Sequence, residues 1–477
     1  MLLSRNDNSK LPDEVIGLPR KVISARFGRK VRKLASKSSL RVLLLQGPVG
    51  PFFDELQSSL GQDGYDTWRI CFTAGDRYFA RRTKRINFGQ GLEQWPGWFD
   101  QFLAYSEVDC IVLFGCERPV HSVARELAKK RNIPVISLEE GYIRPGFVTI
   151  EREGNNRYSP LAGKLPPAKF ETPSVIKKQK NFSDSFSRMC WYGFKYYSLN
   201  ILSGFSQRGT FHKKRSLGGE AFYWSRNLVR KILHQGRNFA TIERLLEHHD
   251  RNFFVVPLQV ADDSQLRGAA KGWTNEKLII ATISSFAKKA NDDKRLVFKV
   301  HPLARGHSNH KKLIESLSTL HGVSDRIDVI DTGSLGLLVR HSVGMITINS
   351  TSGLSAIAHA IPLLVTGEAI YSGTILTKTA KTNDDFDAFW EESVNPDRAL
   401  CSRYLSWLKT NSLKKGDFYA CEGLPMAVQE VKRIIGDTIS ENKLLDVETL
   451  TNRDIVKFPD QSSYYDKNKA QSKVLRG

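Results

Sequence analysis

Four stretches of the chain set acids, an imidazole or hydroxyls beside turn-forming residues, and each pattern suits a particular chemistry. Ser137-Leu-Glu139-Glu140-Gly141-Tyr-Ile-Arg144-Pro145 places two adjacent carboxylates before a glycine. That pattern points to a turn, where mutual repulsion can raise one carboxyl toward the range of a general acid or base; a solvated turn explains the same letters. Val297-Phe-Lys299-Val-His301-Pro302 ends an apolar run on a histidine able to hydrogen-bond a phosphate, with Lys299 and Arg305 as cationic neighbours. In Asn349-Ser350-Thr351-Ser352-Gly353 hydroxyls and free N–H groups meet at the start of an expected helix. Either an anion site or an ordinary N-cap by Ser350 or Ser352 fits, and the two roles are compatible. Gln259-Val-Ala-Asp262-Asp263-Ser264-Gln265 offers acids that can attack an anomeric carbon or cap the next helix.

The elements that must carry these groups follow from periodicity. Arg41–Gln46, Thr67–Phe72, Cys110–Phe114 and Pro134–Leu138 read as short buried strands, with helices over Phe52–Leu60 and Val120–Arg131. A second series starts at Phe253–Val256 and continues with strands at Leu296–Val300, Ile327–Ile330, Gly344–Ile348 and Pro362–Val365, and helices at Glu276–Lys289, Lys311–Leu320 and Ser352–His359. Short apolar runs alternating with helical segments predict two α/β lobes, each a parallel sheet covered on both faces, with a cleft between them. Ligands of such sheets lie beyond the carboxyl ends of the strands, where all four stretches fall. Gln46-Gly47-Pro-Val-Gly50-Pro51, after the first strand, is neither a dinucleotide fingerprint nor a P-loop, although its glycines let backbone approach a ligand closely.

The chain of 477 residues exceeds what one core ordinarily supports. The expected division is a basic tail over 1–39, a first Rossmann-like lobe over 40–175 for an acceptor, a helical insertion over 176–240, a second lobe over 241–425, and a helix with a polar tail over 426–477. Lys and Arg number 71 against 50 Asp and Glu, a net charge of +21, so the partners are expected to be anionic. The insertion interleaves rings such as Trp191, Tyr196 and Trp224 with Lys213, Lys214 and Arg215, a composition suited to the headgroup boundary of a bilayer. A linker packing its rings on the lobes is the plainer reading, and no nucleic-acid motif accompanies the charge. Six scattered cysteines without a CxxC pair suit a reducing compartment, and neither a signal peptide nor an apolar span is expected.

In order, QGPVGPFF, EEGYIRPG, PLQVADDSQ, FKVHP and NSTSG resemble the KpsS/LipB-type capsular polysaccharide proteins across roughly residues 40–425. The EEG and HP pair is also similar to motifs of bacterial sialyltransferases, which handle a related CMP-activated acid. The resemblance implies a GT-B-like fold and a retaining β-Kdo transferase. Such an enzyme uses CMP-β-Kdo and a phosphatidylglycerol or lysophosphatidylglycerol acceptor, cytoplasmic and peripheral on the inner face of the membrane, to begin a poly-Kdo linker. A second Kdo transferase and the capsule export complex are its implied partners. On that likeness Glu140 matches the catalytic carboxylate, with Glu139 beside it, and Asp263 is the candidate nucleophile. His301 and Pro302, with Lys299, Gln259, Ser350, Thr351 and Ser352, would hold the CMP-sugar, and Gly47, Gly50 and Arg144 would lie on the acceptor side. No cofactor or metal is expected. The alternatives are a transferase for another CMP-linked acid, a non-catalytic assembly or export component, and a nucleic-acid binder.

Overall fold

The computed structural model describes residues 39–455 other than 82–83, 173–180, 204–216, 261–264, 302–308 and 392. For 217–232, 265, 267 and 443–455 the description covers the backbone alone. The basic tail over 1–39 therefore lies outside it except for its last residue.

Thirteen strands among these residues form two sheets. The first comprises β1 Arg41–Leu44, β2 Asp66–Cys71, β3 Arg85–Asn87, β4 Cys110–Phe114, β5 Val135–Glu140, β6 Phe147–Arg152 and, far along the chain, β13 Leu413–Lys415. Their spatial order is β13-β6-β5-β4-β1-β2-β3. The second sheet runs β12-β11-β10-β7-β8-β9, built from β7 Phe253–Pro257, β8 Arg295–Lys299, β9 Ile327–Ile330, β10 Gly344–Thr347, β11 Leu363–Val365 and β12 Lys378–Thr379. Both contain the doubly wound order in which the first strand of a lobe sits between its second and fourth. These are two Rossmann-like lobes of a GT-B-like α/β architecture. Each sheet has its switch point beside that first strand, between β1 and β4 and between β7 and β10, where such sheets bind ligands.

The expected strands and helices appear within a residue or two, because a strand buried on both faces must be apolar at consecutive positions. Every residue of β7, Phe-Phe-Val-Val-Pro, is buried. One face of the second sheet packs Phe286, Phe386 and Phe389, the other Tyr371, Tyr404 and Leu408. In the first lobe a stack of Trp95, Trp98, Phe99 and Phe102 fills one face.

Two features depart from the sequence reading. The first sheet is not wholly parallel, since β6 runs antiparallel to β5 and β13 antiparallel to β6. The chain also returns to the first sheet at β13, inside the stretch assigned to the second lobe. By compactness the chain divides after Lys432. The unit up to that residue holds both sheets, and the part from Arg433 onward is described only as the distal portion of helix Gly423–Ile455. Among the described residues no helix is long and apolar enough to cross a membrane.

Candidate active site

Strand β5 runs through Glu139 and Glu140, and the turn begins at Gly141. Antiparallel pairing sets Glu139 opposite Thr149 and Glu140 opposite Val148. Consecutive strand residues point to opposite faces, so the two carboxylates do not share a site, and the expected turn with mutual repulsion is corrected. Glu139 lies on the side of Cys116 and Tyr142. Burial foremost, then the Glu139 charge, pushes the Cys116 thiol up to about 12, and burial with the nearby acids Glu151 and Glu139 raises the Tyr142 phenol well above its ordinary value. Glu140, half-buried, forms an ion pair with Arg144 through Oε2 and accepts a hydrogen bond from Tyr419 Oη at Oε1, 3.2 Å.

The turn after Glu140 is held from beneath. A side chain at Gly141 would strike the Phe147 carbonyl oxygen, so only glycine lets β5 reverse into β6 here. Thr149 Oγ1 donates to the Glu140 carbonyl at 3.3 Å and accepts from Tyr142 N–H at 3.2 Å. Tyr142 Oη in turn donates to Glu151 at 2.6 Å, a buried carboxylate that also accepts from Ser159, Ser412 and Asn155. Burial raises the Glu151 pKa even against these four donors.

In the second lobe, the carboxyl end of the sheet presents the other motifs. Lys299 closes β8 and is buried, while His301 stands just beyond it at the surface. Partial removal from water, then the charges of Lys299 and Arg144, hold the His301 pKa below the ordinary imidazole value. Arg144 thus pairs with Glu140 in the first lobe and bears electrostatically on His301 in the second. At the switch point Gln259 Nε2 donates to Asn349 Oδ1 at 3.0 Å and Asn349 N–H donates to Gln259 Oε1 at 3.4 Å. Gln259 is buried, its amide committed to Asn349, and it braces the loop that carries Ser350, Thr351 and Ser352. That loop is half-buried. Ser352 is the N-cap residue of the six-residue helix Gly353–Ala358, but its hydroxyl donates to Ser350 Oγ at 2.8 Å and makes no side-chain cap bond. Tyr371 Oη donates to the Ser350 carbonyl.

Glu140 and Arg144 are therefore paired, with Arg144 close enough to His301 for its charge to act on the ring, while Gln259 and Ser350–Ser352 lie on the same strand-end edge as His301. Asp263 and Pro302 lie outside the described residues. Gly47 and Gly50 turn their open faces to the protein itself. A side chain at Gly47 would meet the Phe53 ring at 2.7 Å, and one at Gly50, where φ is +118°, would meet the Tyr192 ring at 2.8 Å. Sequence reasoning missed Tyr419, Glu151 and Arg157, which belong to no motif and are recognised only through their partners.

Arg157 ties the lobes mechanically. It binds Glu117 at 2.6 Å within the first lobe, and Glu368 and the Gly268 carbonyl, both at 3.1 Å, in the second. Asn156 accepts from Ile370 N–H at 2.8 Å beside it.

The insertion contains helix Ser185–Leu202, which packs one face and exposes the other. Tyr196 Oη accepts from Gln46 at 3.0 Å and donates to Asp76 at 3.1 Å, and Asn200 accepts from Gly75 N–H at 2.6 Å. Elsewhere on the helix Phe186 is 67%, Trp191 53%, Phe194 65% and Leu202 75% exposed, with Trp191, Phe194 and Leu202 turned away from Tyr196 and Asn200. The rings of Trp191 and Phe194 stack 6.0 Å apart with Lys195 Nζ 4.7 Å from the Trp191 ring centre. Lys213, Lys214 and Arg215 lie outside the described residues, and Trp224 falls in the part of helix Leu217–His248 for which the backbone alone is described.

Residues 109–419 match the model of the family described as capsule polysaccharide biosynthesis protein. The chain belongs to that family. The capsule polysaccharide export protein KpsS of Escherichia coli is 33% identical over 393 residues, 80% of this chain and 97% of that protein. The capsule polysaccharide modification protein LipB of Neisseria meningitidis serogroup B is 28% identical over 401 residues, 80% and 93%. Among solved structures, Thermosulfurimonas dismutans KpsC, described as a beta Kdo 2,7 transferase, is similar over 83% of this chain and 99% of that one, at 13% identity and TM-score 0.38. The segment matched by the capsule polysaccharide family contains Glu140, Arg144, His301, Ser350–Ser352 and, as its last residue, Tyr419; Gly47 and Gly50 precede it.

Proposed function

We propose that the chain is a glycosyltransferase that moves Kdo from CMP-β-Kdo to a phosphatidylglycerol or lysophosphatidylglycerol acceptor, starting the poly-Kdo linker of a capsular polysaccharide. The observation that carries this reading is Arg144, which pairs with the carboxylate of Glu140 in the first lobe and whose charge reaches the imidazole of His301 in the second. Membership of the capsule family supports the setting, and the strand-end hydroxyls and cations suit a donor that bears a phosphate and a carboxylate.

In this reading a carboxylate, assigned to Asp263 on sequence alone, attacks the anomeric carbon. The bond to the CMP oxygen breaks, and the cytidylate leaves with the electron pair onto His301, Lys299 and the Ser350–Ser352 loop. An acceptor hydroxyl then attacks the glycosyl ester from the opposite face. Its proton goes to Glu140 and the Asp263 carboxylate is released, so two inversions give net retention. Both steps rely on protein donors, without a metal.

The acceptor's location fits the exposed rings of helix Ser185–Leu202. Rings and a lysine on one face of a helix, in a chain of net charge +21, suit an anionic lipid surface. The test is incubation of the purified protein with CMP-Kdo or CMP-sialic acid and phosphatidylglycerol vesicles in EDTA, with lipid products read by mass spectrometry. A Kdo-lipid is expected from CMP-Kdo alone. No product, or a product only when divalent metal is restored, contradicts the reading.

A further inference from the structure

We propose that Tyr419 is a positioning residue for Glu140, its phenol and the Arg144 guanidinium gripping the carboxylate from two sides. This rests on the reading of Glu140 as the group that accepts the acceptor's proton. Tyr419 is 279 positions from Glu140, yet its hydroxyl reaches Oε1 at 3.2 Å while Arg144 takes Oε2. A carboxylate offers about four lone-pair sites, so each oxygen keeps one for a proton.

Three neighbouring strands fix this approach. Strand β13 pairs with β6, Lys415 opposite Phe147, and β6 pairs with β5, Val148 opposite Glu140. Gly416 N–H then donates to the Gly146 carbonyl at 3.2 Å, fastening the start of the Tyr419 turn beside the Glu140 turn. Asp417 closes the turn by accepting from Tyr419 N–H at 2.7 Å and Ala420 N–H at 2.8 Å, and its other oxygen accepts from Ser185 Oγ at 2.7 Å. Phe418 wedges edge-on against Phe52 at 4.7 Å and Phe114 at 5.4 Å. The phenol is buried, and burial followed by the Glu140 charge drives its pKa well above the ordinary tyrosine value. At neutral pH it is therefore a neutral donor.

A buried phenol also needs a partner for reasons of stability alone, so the test must separate the two roles. Tyr419→Phe keeps the ring and removes the donor. With the full chain, CMP-Kdo and phosphatidylglycerol vesicles, kcat is expected to fall about 10- to 100-fold at nearly unchanged donor KM, the loss that a slightly misplaced catalytic group produces. A purely structural role lowers the melting temperature and leaves kcat alone, which would overturn the proposal. A second readout needs no turnover. In protein labelled with tyrosine carbon-13 at Cζ, the Tyr419 resonance, assigned by its loss in Tyr419→Phe, moves in Glu140→Gln, and a resonance that stays put overturns the contact. Absence of transfer by the wild type sinks the reading of Glu140, whereas an active wild type matched by Tyr419→Phe sinks this proposal alone.

Discussion

His301 stands near two cations, Lys299 and Arg144, and this sets the pH response of the site. Its lowered pKa keeps the ring neutral near pH 7, so it offers a phosphate one N–H and no charge. As pH falls through the folded value, below about 6.5, the ring gains a proton and an attraction for the donor's phosphodiester, whose own charge is constant there. The donor KM is predicted to decrease with falling pH in that window. In His301→Gln it is predicted to stay level, and an equal slope in the variant would remove His301 from donor binding. Glu140→Gln keeps shape and loses the proton acceptor. Transfer is predicted to fall about 100- to 10,000-fold with little change in melting temperature, since Arg144 is mostly exposed. A non-catalytic export component would instead tolerate this change in a capsule complementation assay. At this scale the sequence reveals which residue types gather, and not which way they face. Glu139 and Glu140 look like a pair as letters, yet the strand that carries them sends them to opposite faces.

The elements were legible where burial demands apolar runs, as in β1, β4, β7, β8 and β10. Strand β3 has three residues, Arg-Ile-Asn, and β13 is Leu-Lys-Lys, edge segments that bury little and leave no periodic trace. β6 was hidden because an antiparallel return needs only a turn, here the one through Gly141. The insertion was legible in composition but not in orientation. The same helix commits Tyr192 and Tyr196 to the first lobe and offers Phe186, Trp191 and Phe194 to the outside, so packing and the proposed docking would share one element. Replacing Trp191 and Phe194 together by Glu is predicted to release the protein from sedimenting phosphatidylglycerol vesicles while circular dichroism is unchanged. Undiminished sedimentation would contradict docking through this helix.

Over the whole molecule, two lobes form one unit in which Arg157 carries a cross-lobe tie. Its partner Glu117 is almost wholly buried, so removing the guanidinium strands a charge out of water. Arg157→Ala is predicted to cost about 3 to 5 kcal/mol in urea unfolding, and a loss under about 1 kcal/mol would show that the tie is solvent-screened. The two α/β lobes were foreseeable from the βα rhythm. The return of the chain to the first sheet was not, because β13, Asp417 and Tyr419 act through partners hundreds of positions away.

In the proposed reaction a carboxylate of the chain takes Kdo from cytidylate before Glu140 delivers the acceptor. Peptide mass mapping of Glu140→Gln, quenched after mixing with CMP-Kdo, tests it most directly. One Kdo residue is predicted to be esterified to the peptide containing Asp263, with an equivalent of CMP released. Rapid product formation by the wild type with inverted linkage, and no adduct on any carboxylate of the variant, would contradict it.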